Sequence, residues 1–140
     1  MNRPEVLVIG SGVMGRGIAK GFAAAGISSA IFSRNAAKVA GVDARVALLD
    51  RLPQQAPALI IESVPEKMGL KFECYAAIEA AYAGGPVLAS NTSALDLEAL
   101  AQPLKYPARF LGIHYFMPAD VNTIVEVAPV RATAPAATDA

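Results

Sequence analysis

The chain is poor in several residue types that mark common classes of protein. Its 140 residues contain no tryptophan, a single histidine and a single cysteine, Cys74. One cysteine excludes an internal disulfide and provides no metal-ligand spacing, so we expect neither a disulfide scaffold nor a metal site. The residues around Cys74 predict a buried position on a helix, with a reactive thiol as the alternative.

Charged residues are also scarce, and the two signs balance. They make up 17% of the chain, with 12 basic and 12 acidic side chains. Without a basic field, we expect no nucleic acid and no membrane as a partner. No apolar run approaches the ~18 residues of a membrane helix, and residues 6–9 are too few for the core of a signal peptide. These absences predict a soluble, cytoplasmic protein.

Apolar residues are abundant instead, at 54% of the chain. A length of 140 residues fits one domain with a substantial core. Such a high apolar share is typical of a parallel β-sheet that helices cover on both faces.

The strongest local signal lies near the N-terminus, in the segment VLVIGSGVMGRG. Four apolar residues run into the pattern G-x-G-x-x-G, and a helical periodicity follows it. Gly10 permits the tight turn, Gly12 lets a pyrophosphate approach the backbone, and Gly15 lets the helix pack closely on the strand. Unpaired N–H groups at the helix start, at Val13 and Met14, favour a bound anion. The segment predicts a dinucleotide site, with a merely glycine-rich turn as the alternative.

Strand and helix patterns alternate along the rest of the chain. This alternation predicts an α/β fold of the Rossmann type, a doubly wound, mostly parallel sheet with helices on both faces. We assign residues 1–130 to this dinucleotide-binding domain and expect residues 131–140, rich in Ala, Thr and Pro, to form a flexible tail. Beyond the first strand and helix, the predicted strands are 29–33, 44–48, 58–64, 87–90, 110–116 and 123–127, and the predicted helices are 35–40, 68–83 and 93–107.

The end of the second predicted strand indicates which nicotinamide dinucleotide binds. Domains that bind NAD usually carry a carboxylate here, which accepts hydrogen bonds from the ribose 2′-hydroxyl. This chain has Ser33, followed by Arg34 and, one helical turn later, Lys38. A hydroxyl, a guanidinium and an ammonium would bind a 2′-phosphate, which a carboxylate would repel. We therefore expect NADP as the preferred cofactor, with NAD as the second choice. In the alternative, Arg34 and Lys38 are ordinary surface charges.

Five ordered segments resemble the NAD-binding domain of the 3-hydroxyacyl-CoA dehydrogenase family. The resemblance implies a Rossmann-type fold and hydride transfer between NAD(P) and a 3-hydroxyacyl substrate, as in fatty acid metabolism. The segments are the glycine loop with its methionine, IESVPE at 61–66, LASNTS at 88–93, GIHYFMP at 112–118 and IVEV at 124–127.

The resemblance also implies roles for individual residues. By this resemblance, His114 is the general acid/base, Glu126 orients it, and Ser93 contacts the substrate and the nicotinamide. Glu66 and Lys71 match family residues that contact the cofactor.

The chemistry of these residue types agrees with such roles. Oxidation of a secondary alcohol needs a base for the hydroxyl proton, and histidine titrates in the right range. His114 ends a predicted parallel strand, where open α/β sheets bind ligands, and Glu126 at its other ring nitrogen would fix the tautomer. The alternatives are a core position for His114, a helix N-cap role for Ser93 and, for Glu62, a strand-end position outside the site.

Three departures from the family pattern limit what the resemblance implies. Residues 34–61 leave no room for the long helical hairpin that helps to hold coenzyme A, which argues against a CoA substrate. Met117 stands where the family has an asparagine that contacts the cofactor. The family's C-terminal helical domain, which brings its dimer contacts, has no counterpart after Val130.

We therefore expect an NAD(P)-dependent oxidoreductase domain of the 3-hydroxyacyl-CoA dehydrogenase type, with a homodimer as its assembly. One alternative is a dehydrogenase or reductase of small 3-hydroxy acids without CoA, and another is a noncatalytic dinucleotide-binding module. Catalysis depends on holding substrate and nicotinamide together. We thus expect the 140-residue chain alone to bind the dinucleotide but to turn over little substrate.

Overall fold

The computed structural model describes residues 3–140, in which helices flank one β-sheet. Two 3₁₀ turns lie at Ala36–Lys38 and Pro107–Arg109. The strands are β1 (Val6–Ile9), β2 (Ser29–Phe32), β3 (Ala47–Leu49), β4 (Leu59–Glu62), β5 (Val87–Ser90), β6 (Phe110–Tyr115) and β7 (Val125–Pro129). The helices are α1 (Val13–Ala24), α2 (Met68–Tyr82), α3 (Leu97–Ala101) and α4 (Pro135–Thr138).

The strands form one sheet in the order β3-β2-β1-β4-β5-β6-β7. The first six strands pair in parallel, and β7 runs antiparallel to β6. The chain builds outward from β1 in one direction and from β4 in the other. Such a reversal leaves a crevice at the carboxyl ends of the strands, where open α/β sheets bind ligands. The predicted doubly wound, mostly parallel sheet is confirmed.

Helices cover both faces of the sheet, as predicted. Successive residues of a strand point to opposite faces. Val8 therefore packs in the cluster that contains Ile18 of α1, whereas Leu7 packs in the cluster that contains Tyr75 of α2. This two-sided burial explains why the central strands are apolar throughout. The longest helix in residues 3–140, α2, has 15 residues, and none in that range combines the length and apolar character that a bilayer crossing requires.

Side chains that hydrogen-bond to nearby backbone shift two strands from their predicted positions. The Asp43 carboxylate accepts a hydrogen bond from the Arg45 N–H at 2.9 Å, and β3 begins only after this turn. The Asn122 side chain accepts from the Ile124 N–H at 3.1 Å, and β7 follows two residues later than predicted. Asp and Asn stabilise turns in this way because the side chain mimics a backbone carbonyl.

Helix α3 is shorter than the predicted helix at 93–107 and has a different cap. Asp96 is its N-cap, with Oδ1 accepting from the Glu98 N–H at 2.9 Å. Thr92 Oγ1 accepts from the Leu95 N–H at 3.1 Å and holds the preceding turn. The N-cap alternative for Ser93 is therefore wrong.

The structure also corrects the flexible tail predicted for residues 131–140. Thr133 Oγ1 donates to the Phe110 carbonyl at 2.6 Å and accepts from the Val130 N–H at 2.9 Å, which ties the segment to β6. Ala137 of α4 is only 3% exposed and belongs to the core cluster beside α1. Composition did not predict this docking because one small apolar side chain fills the core position.

Candidate functional site

A cavity of about 700 Å³ opens at the carboxyl ends of β1, β2, β4 and β5, across the point where the strand order reverses. Its volume lies within the ~300–1,000 Å³ range of small-molecule sites. The wall includes the loop 10–15, residues 33–35 after β2, residues 63–66 after β4, Asn91 and Ser93 after β5, and Met117.

The glycine loop has the geometry that the sequence predicts. Gly10 has φ of +120°, and a Cβ there would overlap the Ser63 carbonyl. A Cβ on Gly15 would overlap the Gly10 carbonyl, so the start of α1 lies directly against the turn. A Cβ on Gly12 would meet no heavy atom within 4 Å, since this backbone faces open space. The loop therefore leaves room for a ligand to approach its backbone closely.

The start of α1 offers backbone donors to an anion. Gly12 is the N-cap, and no side chain caps the helix or places a negative charge in its first turn. Arg16 donates its N–H to the Gly12 carbonyl at 3.0 Å. The N–H groups of Val13, Met14 and Gly15 precede that bond and have no partner within the helix. Together with the helix dipole, they fit the pyrophosphate of a dinucleotide.

At the end of β2 the cavity wall carries hydroxyl and guanidinium groups. Ser33 Oγ lies 3.3 Å from Ser11 Oγ and accepts from the Asn35 N–H at 3.3 Å. Arg34 is exposed and lines the cavity beside Ser33. Lys38 is exposed in a 3₁₀ turn but does not line the cavity. Sequence reasoning missed Ser11, although its position between the first two glycines is a usable signal.

Glu66 is the only carboxylate among the described residues that line the cavity. Its Oε2 accepts from Thr92 Oγ1 at 2.7 Å, and its Oε1 lies 3.1 Å from Lys71 Nζ. Partial burial raises the pKa of Glu66, but the hydrogen bonds from Thr92 and Lys71 outweigh that effect and hold the pKa below its ordinary value. Glu66 is therefore a fixed acceptor on the cavity wall.

The expectation that Lys71 contacts a cofactor directly is corrected by its position. The Lys71 side chain is buried and does not line the cavity. Its Nζ donates to Glu62 Oε1 at 2.5 Å and to the Val64 carbonyl at 3.3 Å. Lys71 therefore contacts Glu66 of the cavity wall but is not itself exposed in the cavity.

Glu62 is the centre of this buried cluster, and sequence reasoning left it outside the site. Its carboxylate accepts from Tyr75 Oη and Ser90 Oγ, each at 2.7 Å, and from the Val64 N–H at 3.0 Å, besides Lys71. Burial, followed by the negative charge of Glu62, raises the pKa of Tyr75. An acidic residue in an apolar strand was the available signal, because a buried charge needs a partner.

The structure brings His114 and Glu126 together across the β6–β7 pair. The two residues are directly opposite in the strand register, and His114 Nδ1 lies 3.9 Å from Glu126 Oε2. The imidazole also packs on the Phe116 ring, with centroids 4.6 Å apart. Its side chain is 32% exposed, so His114 is accessible and the core alternative is wrong.

Asn91 connects the cavity wall to the strand that carries His114. Its Oδ1 accepts from the Tyr115 N–H at 3.1 Å, and its Nδ2 donates to Ser63 Oγ at 3.4 Å. Ser93 and Met117 complete this side of the cavity, and both are exposed. Within residues 3–140, no cluster of three or more His, Cys, Asp or Glu side chains is arranged to hold a metal ion.

Comparison with known proteins identifies the family of the chain. Residues 5–56 and 44–140 match the family model described as 3-hydroxyacyl-CoA dehydrogenase, NAD binding domain. A 3-hydroxyadipyl-CoA dehydrogenase from Escherichia coli (strain K12) is 29% identical over 96% of this chain and 34% of its own length. A peroxisomal bifunctional enzyme from Cavia porcellus is 38% identical over 55% of this chain and 11% of its own length.

Solved structures show the same relationship over nearly the whole chain. The crystal structure of 3-hydroxybutyryl-CoA dehydrogenase from Escherichia coli K12 matches with a TM-score of 0.86 and 27% identity, covering 99% of this chain and 35% of that one. The chain thus spans about a third or less of these relatives. From the family match and the shared fold, this chain belongs to the family of NAD-binding domains of 3-hydroxyacyl-CoA dehydrogenases.

Proposed function

We propose that this protein transfers a hydride between a nicotinamide dinucleotide and a 3-hydroxyacyl substrate, with His114 as the base. The observation that carries the proposal is the pairing of His114 with Glu126. Neither residue lines the cavity, but the next residue of β6, Tyr115, donates its N–H to Asn91 of the cavity wall. A lone histidine has many structural uses. An exposed histidine that faces a carboxylate has the arrangement of a general base with its orienting group.

Each residue has a distinct task in this reaction. When bound, the oxidised dinucleotide would supply its nicotinamide ring as the hydride acceptor. The backbone from Gly10 to Gly15 holds its pyrophosphate, and Glu66 accepts hydrogen bonds from its hydroxyl groups. His114 takes the substrate hydroxyl proton at Nε2, because Nδ1 faces Glu126. Glu126 stabilises the resulting imidazolium, and Ser93 binds the substrate oxygen.

The relatives support the proposed substrate class. A 3-hydroxyadipyl-CoA dehydrogenase and a 3-hydroxybutyryl-CoA dehydrogenase are both similar to this chain, which favours a 3-hydroxyacyl thioester. Between β2 and β4 the chain forms only a 3₁₀ turn and β3. That short connection favours a second candidate, a dehydrogenase of small 3-hydroxy acids without CoA. The homodimer and the cytoplasmic location stay predictions from the sequence.

For the cofactor, we propose a preference for NADP over NAD. Ser33 and Arg34 line the cavity where a carboxylate would contact the ribose of NAD. The Ser11–Ser33 hydroxyl pair and the Asn35 N–H lie beside them. Lys38 adds positive charge nearby without lining the cavity.

An assay of the protein with either reduced dinucleotide and short 3-oxoacyl thioesters or acids tests the proposal. Turnover should require His114, so His114→Gln should lower the turnover rate. Glu126→Gln should lower the turnover rate as well. Normal turnover in the His114→Gln variant would refute the assigned base. Because the chain alone is expected to turn over little substrate, slow turnover agrees with the proposal. Dinucleotide binding with no detectable turnover of any 3-oxoacyl compound, however slow, would favour the noncatalytic module.

A further inference from the structure

Glu66, the acceptor on the cavity wall, is bound by two buried side chains. Lys71 Nζ and Thr92 Oγ1 each engage one of its carboxylate oxygens. A carboxylate has about four acceptor positions, so Thr92, Lys71 and the Ala94 N–H leave at least one of them for a ligand. The side chain of Glu66 is 40% exposed, whereas that of Lys71 is 1% exposed. Glu66 thus faces the cavity and Lys71 does not.

The Lys71 ammonium is surrounded by acceptors of the protein itself. It has three N–H groups, and three oxygens surround it: Glu62 Oε1 at 2.5 Å, Glu66 Oε1 at 3.1 Å and the Val64 carbonyl at 3.3 Å. Glu62 in turn is fixed by Tyr75 and Ser90. Both ends of the buried pair are therefore locked in one geometry.

We propose that Lys71, held by Glu62, is a positioning residue that orients the Glu66 carboxylate toward the hydroxyl groups of a bound dinucleotide. This inference rests on the proposed function, in which Glu66 faces the cofactor. A buried ion pair adds little stability compared with apolar side chains of similar size, so stability alone does not explain the cluster. A binding group needs a supporting shell that locks its orientation, and the Glu62–Lys71 pair supplies it.

The test removes both charges of the buried pair at once. Lys71→Met alone would leave the Glu62 carboxylate buried without its cation, so the test variant is Glu62→Gln/Lys71→Met. Tyr75→Phe is the matched control, because it removes another hydrogen bond to Glu62 but leaves Glu66 and its partners intact. Each change is made with Glu66 present and with Glu66→Gln, and NADH and NADPH binding is measured by nicotinamide fluorescence.

Two results are expected. First, the pKa of Glu66, followed by carbon NMR of its carboxyl group, should rise toward its ordinary value in the double variant and stay unchanged in Tyr75→Phe. Second, dinucleotide binding should weaken about three- to tenfold in the double variant. In the Glu66→Gln background the same double change should add no further loss, because a coupled pair is not additive.

Several outcomes would overturn the inference. They are an unchanged Glu66 pKa, an equal loss of binding in the Glu66→Gln background, or an equal loss in Tyr75→Phe. If the double variant does not fold, Lys71→Arg replaces it in the same cycle with dinucleotide binding as the deciding measurement, since it keeps the charge but displaces the donors. A protein that binds neither NADH nor NADPH would refute the proposed function, and the pKa comparison would still decide whether Lys71 positions Glu66.

Discussion

Replacing Arg34 with alanine should abolish a preference for NADPH over NADH. Arg34 lines the cavity directly after β2, and neighbouring Ser33 takes the place of the usual carboxylate. The 2′-phosphate of NADPH is the only group that distinguishes the two dinucleotides. The Arg34 guanidinium is the positive group on that part of the cavity wall. Its removal should therefore weaken the binding of NADPH and leave the binding of NADH unchanged.

The expected magnitude follows from the exposure of Arg34. A charge-assisted hydrogen bond to phosphate contributes about 1.5–3 kcal/mol. Because the Arg34 side chain is exposed, solvent and salt screen it, and the lower end of the range applies. About 1.5 kcal/mol corresponds to roughly tenfold in Kd. NADH should bind the variant and the unmutated protein with the same Kd.

Titration by nicotinamide fluorescence at two salt concentrations measures both affinities. Lys38→Ala is the matched control, since Lys38 is exposed but does not line the cavity, and it should change the NADPH affinity less than Arg34→Ala does. Ser33→Asp should reverse the preference by repelling the 2′-phosphate. Equal or tighter binding of NADH by the unmutated protein would refute the reasoning.

Three further predictions concern catalysis and folding. His114→Gln should lower turnover about 10²- to 10⁴-fold with little change in dinucleotide Kd, and an equal loss of binding would contradict a purely catalytic role. Gly15→Ala should lower the free energy of unfolding by about 1–3 kcal/mol, because its Cβ would overlap the Gly10 carbonyl, whereas Gly12→Ala should keep the stability and weaken dinucleotide binding. Ala137→Glu should cost at least about 2 kcal/mol in urea unfolding, whereas Ala136→Glu, at an exposed position of the same helix, should cost almost nothing; equal effects would mean that α4 is not docked.

Local patterns predicted most of the fold and the glycine loop. The central strands are short continuous apolar runs, and α1 and α2 show an apolar helical periodicity. The glycines that the phosphate loop requires all lie within the six residues from Gly10 to Gly15. The alternation of strands and helices predicted that most strands run parallel. The boundaries that were predicted wrongly depend on single hydrogen bonds, such as the one that the Glu98 N–H donates to the Asp96 carboxylate. Sequence spacing alone does not select this cap among several candidates.

The parts of the site that sequence reasoning missed depend on packing between distant elements. Glu62 ends β4, Lys71 and Tyr75 lie on α2, and Ser90 ends β5, so only the assembled sheet and helix place them together. A lysine is normally expected at the surface, whereas Lys71 is buried and has its partners inside the protein. The resemblance predicted that Lys71 contacts the cofactor, but the Lys71 side chain is buried and does not line the cavity.

Glu66 should make the stability of the protein depend on pH in a defined range. Its pKa in the folded protein lies below the ordinary value of 4.5, through hydrogen bonds from Thr92 and Lys71 that outweigh partial burial. For a carboxyl group with a lowered folded pKa, the stabilisation is complete above the unfolded pKa and is lost as the pH falls through the folded pKa. The contribution of Glu66 should therefore be constant at neutral pH and decline only below about pH 4.5.

Urea unfolding of the unmutated protein and of Glu66→Gln, from neutral pH down to about pH 3, measures this contribution as the difference between the two free energies of unfolding. Effects of the other carboxyl groups are common to both proteins and cancel in the difference. Glu73→Gln, at an exposed acidic position of α2, controls for the loss of one negative charge. The difference for Glu66 should narrow as the solution becomes acidic, because protonation removes its interaction with the Lys71 ammonium. A difference that widens in acid, or that is the same for Glu73→Gln, would mean that the buried ammonium does not hold Glu66 in its ionised form.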